Sequence, residues 1–226
     1  MRETKKRLAI RCLVNERRAD KELWNSGIRD ISEILPDLDL DDHLSPWSLS
    51  ADRVDSPILL VGQDWASIDS IRAWSSDQYS VIRRLGRNPK LETNIRLDFL
   101  IEESFGLKFS DCYATNAFVF IKPGNASSRI ATRAFSHSVL KYLLPLIGIL
   151  RPKLVLCLGV QTFSGIARGI LGTGAAQIDW RQSISDPLVA KKSKFIGLPH
   201  PGYWGTRNAG GEEVVLNLWK ASAIHL

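Results

Sequence analysis

The chain has 226 residues, 44% of them hydrophobic and 24% charged, with 30 Lys and Arg against 24 Asp and Glu and a formal net charge of +6. This is the composition of a globular protein with enough chain for one sizeable core. No apolar run has the length of a membrane span, and the opening MRETKKRLAIRC lacks the apolar centre of a secretory signal. Cys12, Cys112 and Cys157 lie far apart with no CxxC pair, which argues against a disulfide framework and a thiolate metal site and fits a reducing, cytoplasmic compartment.

Residues 2–21 carry eight basic side chains and read as a helix running to about Trp24, where NSG breaks it. Residues 28–56 read as irregular chain with short helical pieces, and Asp30 to Asp42 holds six acidic residues. Two readings of this contrast stand open: a basic arm for a polyanion followed by a solvated loop, or a surface helix with its usual charges. ILLVG (58–62) has the apolar continuity of a buried strand and runs straight into Gln63 and Asp64. ETNIRLDFLIEESF (92–105) is a helix stopped by Gly106. CYATNAFVF (112–120) is a second strand, ended by KPGNASS. A long helix over 129–150 is expected to be disturbed at Pro145. KLVLCLG (153–159) is a third strand, with a helix starting directly after Gly159. KFIGLP (194–199) is the fourth, and EEVVLNLWKASAI closes the chain as a helix.

Strands rich in Val, Ile and Leu that alternate with helices predict an α/β domain with a parallel sheet covered on both faces. The chain reads as one domain, residues 1–226, with an N-terminal helical extension (1–50) and a core from about 56 onwards. Right-handed crossovers point all four strands the same way, and ligands bind such sheets beyond the carboxyl ends of the strands. Asp64, Asn116 and His200 each follow or end a strand, so all three are expected on one edge. The alternatives are local: Asp64 as cap of a helix begun at DWAS, Asn116 as a backbone bridge, and His200 as a surface histidine.

The segments LLVGQDWA, TNAFVFIKPGN, PKLVLCLGVQTF and LPHPG, in that order, resemble the motifs of the uracil-DNA glycosylase superfamily over about residues 56–204. The resemblance implies a three-layer α/β/α sandwich around a four-stranded parallel sheet. It also implies hydrolysis of the bond between a deaminated base and its sugar in DNA, by a monomeric, nucleoid-associated enzyme without a cofactor. Asp64 matches the water-activating acid, and His200 the imidazole that stabilises the departing base. Asn116 matches the amide that reads the base edge, and Gln63 stands where backbone amides face the base. A carboxylate opposes the positive charge of an oxocarbenium-like sugar, and a neutral imidazole donates to the anionic base. The base must leave the stack first, so a DNA-binding surface is required.

The departures are informative. Ala66 stands where a Tyr blocks the thymine methyl in the uracil-specific branch, Trp65 where Pro is usual, and Gly202 where Ser is usual. Ala66 implies tolerance of bulkier bases unless Trp65 closes the gap. Three scattered cysteines cannot supply the four that hold an iron–sulfur cluster in the thermostable branch. Trp74 and Tyr79 are candidates to stack on the base. The loop HPGYWGTRN is expected to enter DNA, with Tyr203 or Trp204 as wedge and Arg207 on a phosphate; the alternative packs both aromatics on the adjacent helix.

Overall fold

The structure is a computed structural model that describes residues 3–50, 52–172 and 179–226. Five strands form one sheet in the order β2-β1-β3-β5-β4. Strands β1 (Ile58–Asp64), β2 (Tyr113–Phe118), β3 (Leu154–Leu158) and β5 (Ser193–Leu198) are parallel. The three-residue β4 (Leu188–Ala190) pairs antiparallel with β5, so the expected four-stranded sheet carries a fifth strand at one edge. The run of Ile58 to Val61 is buried throughout, as is all of β3. Successive side chains on a strand point to opposite faces, so both faces of the sheet are covered, as the unbroken apolar runs require.

Helices fill the connections. The chain begins with α1 (Glu3–Ala19), ending earlier than the expected Trp24, and passes through the short α2 (Ile31–Ile34). After β1 come α3 (Ile68–Arg72), α4 (Ser76–Leu85) and α5 (Glu92–Phe105). Ser75 and Gln78 start α4 with a reciprocal capping box. Gly86 ends it at φ 69°, and a Cβ there would lie 2.0 Å from the Pro46 carbonyl oxygen, so both the turn and the packing require glycine. The expected helix over 129–150 splits into α6 (Thr132–Ser138), a π turn (Val139–Leu143) and α7 (Leu144–Leu150). Pro145 has no N–H to continue the ladder and its ring crowds the preceding turn, which widens there. Then come α8 (Val160–Leu171), α9 (Gln182–Ser185), α10 (Tyr203–Ala209) and α11 (Glu212–Ser222). The segment expected as a loop after His200 is thus largely the helix α10.

The charge contrast near the N-terminus resolves into ion pairs. Arg17, fully buried, meets Asp30 and Asp39; Arg18 meets Asp39 and Asp41; Arg7 meets Asp42 and Asp52; Lys6 meets Asp55. The basic helix and the acidic run neutralise each other, so α1 is not a free polycationic arm. A second cluster docks α1 on the helix before β3. Asp20 accepts hydrogen bonds from Tyr142 (2.5 Å), His137 (2.6 Å) and Lys141 (2.9 Å). Burial pushes the Asp20 carboxyl up, but these donors outweigh it and hold its pKa well below the usual carboxylate range.

Residues 43–50 cover the outer edge of β2. The β2 amides of Ala114 and Asn116 donate to the hydroxyls of Ser50 and Ser45, both at 3.2 Å, in place of a further strand. His43 meets the Tyr113 hydroxyl and Ser45 the Thr115 hydroxyl. Side-chain oxygens thus satisfy an edge that would otherwise invite strand pairing.

Candidate active site

A cleft of about 740 Å³ opens at the carboxyl ends of the parallel strands. All four contribute: Gly62, Gln63 and Asp64 from β1, Asn116 from β2, Leu158 from β3, and His200 with Pro201 just beyond β5. Asp64, Asn116 and His200, spread over most of the chain, therefore meet in one cavity, as the strand-end reading expects.

Asp64 does not cap a helix; Ser67 caps α3, accepting from the Ser70 amide. Its Oδ2 instead lies 2.9 Å from Lys122 Nζ, with both side chains largely buried. The chain brings them together by backbone pairing. Ser67 and Lys122 form a parallel bridge, and the amides of Ile68 and Asp69 donate to the carbonyls of Lys122 and Gly124. Lys122 also donates to the Ala126 carbonyl at 2.8 Å. Burial raises the Asp64 pKa; Lys122 and, more weakly, His200 oppose the shift. Oδ1 accepts no hydrogen bond from the described residues. Lys122 lies in the segment TNAFVFIKPGN, yet its pairing with a residue 58 positions away has no local signature.

His200 lines the cleft and is exposed to solvent, with protein atoms crowding part of its ring. That partial desolvation lowers its pKa, while the Asp64 carboxylate acts in the opposite direction. The Gly202 amide donates to His200 Nδ1 at 3.0 Å. An imidazole nitrogen that accepts carries no proton, so the neutral ring holds its hydrogen on Nε2. A Cβ on residue 202 would lie 3.0 Å from both His200 Nδ1 and Thr93 Oγ1, so a side chain there would make these neighbours give by a few tenths of an ångström.

Asn116 is 1% exposed. Its Oδ1 accepts from the indole N–H of Trp47 at 2.7 Å, and its Nδ2 has no partner among the described residues. The unused group of Asn116 is therefore a pair of amide hydrogens. A second donor without a partner, Nη1 of Arg87, belongs to another buried cleft residue whose Nη2 is held by Asp98. Leaving a buried donor unmade costs about 1–3 kcal/mol, and a ligand with acceptor oxygens removes that cost.

No family model matches this chain, and no curated protein matches it. What it does rests on the cleft.

The remaining expected residues fall as follows. Gln63, Trp65 and Ala66 line the cleft. Trp65 donates to the Gly86 carbonyl at 2.9 Å and packs edge-on against Trp74, ring centroids 5.6 Å apart, so its indole is tied in place. Trp74 lines the cleft; Tyr79 does not, and packs in the small cluster around Leu35, Leu38 and Ile82. Tyr203 and Trp204 sit on the first turn of α10, 52% and 66% exposed, with their rings edge-to-face. Neither is packed away on a neighbouring helix. The Arg207 guanidinium lies 5.6 Å from the Trp204 ring.

Proposed function

We propose that this chain is a DNA glycosylase that hydrolyses the N-glycosidic bond of uracil or a related deaminated base, with the three-layer fold of the uracil-DNA glycosylase superfamily. The observation that carries the reading is the convergence of Asp64, Asn116 and an Nε2-protonated His200 in one cleft. Asp64, held through Oδ2 by Lys122, keeps Oδ1 for a water molecule. As the bond from C1′ to the base nitrogen breaks, its electron pair leaves with the base. The Nε2–H of His200 donates to the base oxygen where that negative charge gathers. The water oxygen bonds to C1′, and its proton passes to Asp64. Asn116 donates through Nδ2 to a base carbonyl. No cofactor enters this scheme.

DNA is the partner, and the enzyme works as a cytoplasmic, nucleoid-associated monomer. Tyr203 or Trp204 fills the gap left by the extruded base, and Arg207 holds a phosphate nearby. Ala66 leaves space beside the fifth carbon of a pyrimidine, so 5-substituted uracils and hypoxanthine are accepted beside uracil.

A second reading, a DNA- or partner-binding member of the superfamily without catalysis, draws on the Lys122 ammonium that neutralises Asp64. Oligonucleotides carrying uracil, 5-hydroxymethyluracil, hypoxanthine or thymine opposite guanine separate the two. Release of base with an abasic site left behind supports the enzyme. Retention on DNA with no release from any of them supports the binding module.

A further inference from the structure

We propose that Trp47 is a positioning residue that sets base choice, by locking the Asn116 amide so that the cleft reads a carbonyl oxygen and rejects an amino group. The proposal rests on the glycosylase reading and adds to it a residue from the N-terminal segment. An indole nitrogen donates and never accepts. The atom of Asn116 that faces Trp47 Nε1 at 2.7 Å must therefore be the oxygen. Turning the amide over would set its NH2 group against the indole N–H, donor against donor, so the flipped state is disfavoured. Nδ2 is left buried, without a partner, on a residue that lines the cleft.

The lock is itself held. The backbone N–H of Asn116 donates to the hydroxyl of Ser45, two residues before Trp47. Trp47 packs on Phe109 with ring centroids 5.3 Å apart, and the Arg87 guanidinium carbon lies 4.1 Å from the Phe109 centroid. Gly86 closes against the backbone of residues 46–48 so tightly that no side chain fits there. Behind the amide, Gly62 leaves only the space that Nδ2 needs, since a Cβ there would come within 2.7 Å of it. An asparagine free to turn would serve a keto or an amino group equally, because it carries one donor and one acceptor end. Held by Trp47, it presents hydrogens to uracil O4, whereas cytosine brings an amino group to the same point.

The test follows the Asn116 side-chain amide by NMR in the full chain while free uracil or free cytosine is added. Wild type is compared with Trp47→Phe and with a protein carrying benzothienylalanine at position 47, an isostere with sulfur in place of N–H. The expected result is a single amide state in wild type and at least two in both altered proteins. The preference for uracil over cytosine should fall about tenfold, the scale of one buried hydrogen bond. An unchanged preference, or one amide state in all three proteins, would overturn the lock, as would failure of wild type to bind either base. Excision of uracil from an oligonucleotide is assayed in parallel. Wild-type excision with an unchanged base preference removes Trp47 and leaves the glycosylase reading standing. Absent excision with the amide freed in both altered proteins removes the glycosylase and leaves the lock.

Discussion

The backbone amide of Gly202 donates to Nδ1 of His200 at 3.0 Å, and this one contact decides which imidazole nitrogen carries the proton. A side chain at 202 would press on both that ring and Thr93. Gly202→Ala is therefore expected to shift the imidazole by a few tenths of an ångström. We predict that kcat for base release falls by about tenfold with KM little changed, because positioning losses fall on the chemical step. Steady-state kinetics on a uracil oligonucleotide checks this.

Lys122 and Asp64 make a prediction about pH. In the proposed reaction Asp64 must be ionised to take a proton from water, and burial already raises its pKa. Lys122→Met removes the cation that opposes the rise, so the carboxyl moves higher still. The acidic limb of the kcat/KM profile should shift to higher pH by roughly one unit or more. His200, whose pKa is lowered, is already neutral at pH 7 and adds no loss there. An acidic limb that stays in place would mean that Asp64 is not the group titrating.

Tyr203 and Trp204 stand exposed on the first turn of α10, shortly after the cleft residues His200 and Pro201. Replacing both with Ala should weaken excision from duplex DNA by about tenfold more than excision from a single strand, since only the duplex must be unstacked. Parallel single-turnover rates on the two substrates measure the difference.

Away from the cleft, Asp20 joins α1 to His137, Lys141 and Tyr142. Its folded pKa is depressed, so its contribution is present above the unfolded carboxylate pKa and is lost as pH falls towards the folded one. Asp20→Asn should cost about 3 kcal/mol at pH 7, the scale for breaking a buried charged network. The difference from wild type should shrink below about pH 4. Urea unfolding at pH 7 and pH 3 tests both statements.

The parallel strands were legible because buried runs such as ILLV and KLVLCL need no partner to announce them, and strand direction then placed Asp64, Asn116 and His200 together. β4 was not legible. Its three residues are partly exposed and pair with one neighbour only, so no run or alternation marks them. Trp47 was missed for a different reason. It sits in an irregular stretch, and its contact with Asn116 spans 69 positions, which local patterns do not report. The pairing of α1 with the acidic run was half visible, since complementary blocks of charge stood next to each other. Only the fold shows that they meet, with Arg17 fully buried among them.

The most direct test is single-turnover release of uracil from a single-stranded oligonucleotide, with protein in excess, by wild type and Asp64→Asn. Wild type should leave an abasic site. The variant should still bind the DNA and should be slower by at least about 100-fold, the lower range for loss of a general base. No abasic site with wild type, or equal rates for the two proteins, would contradict the assignment of this cleft to base excision.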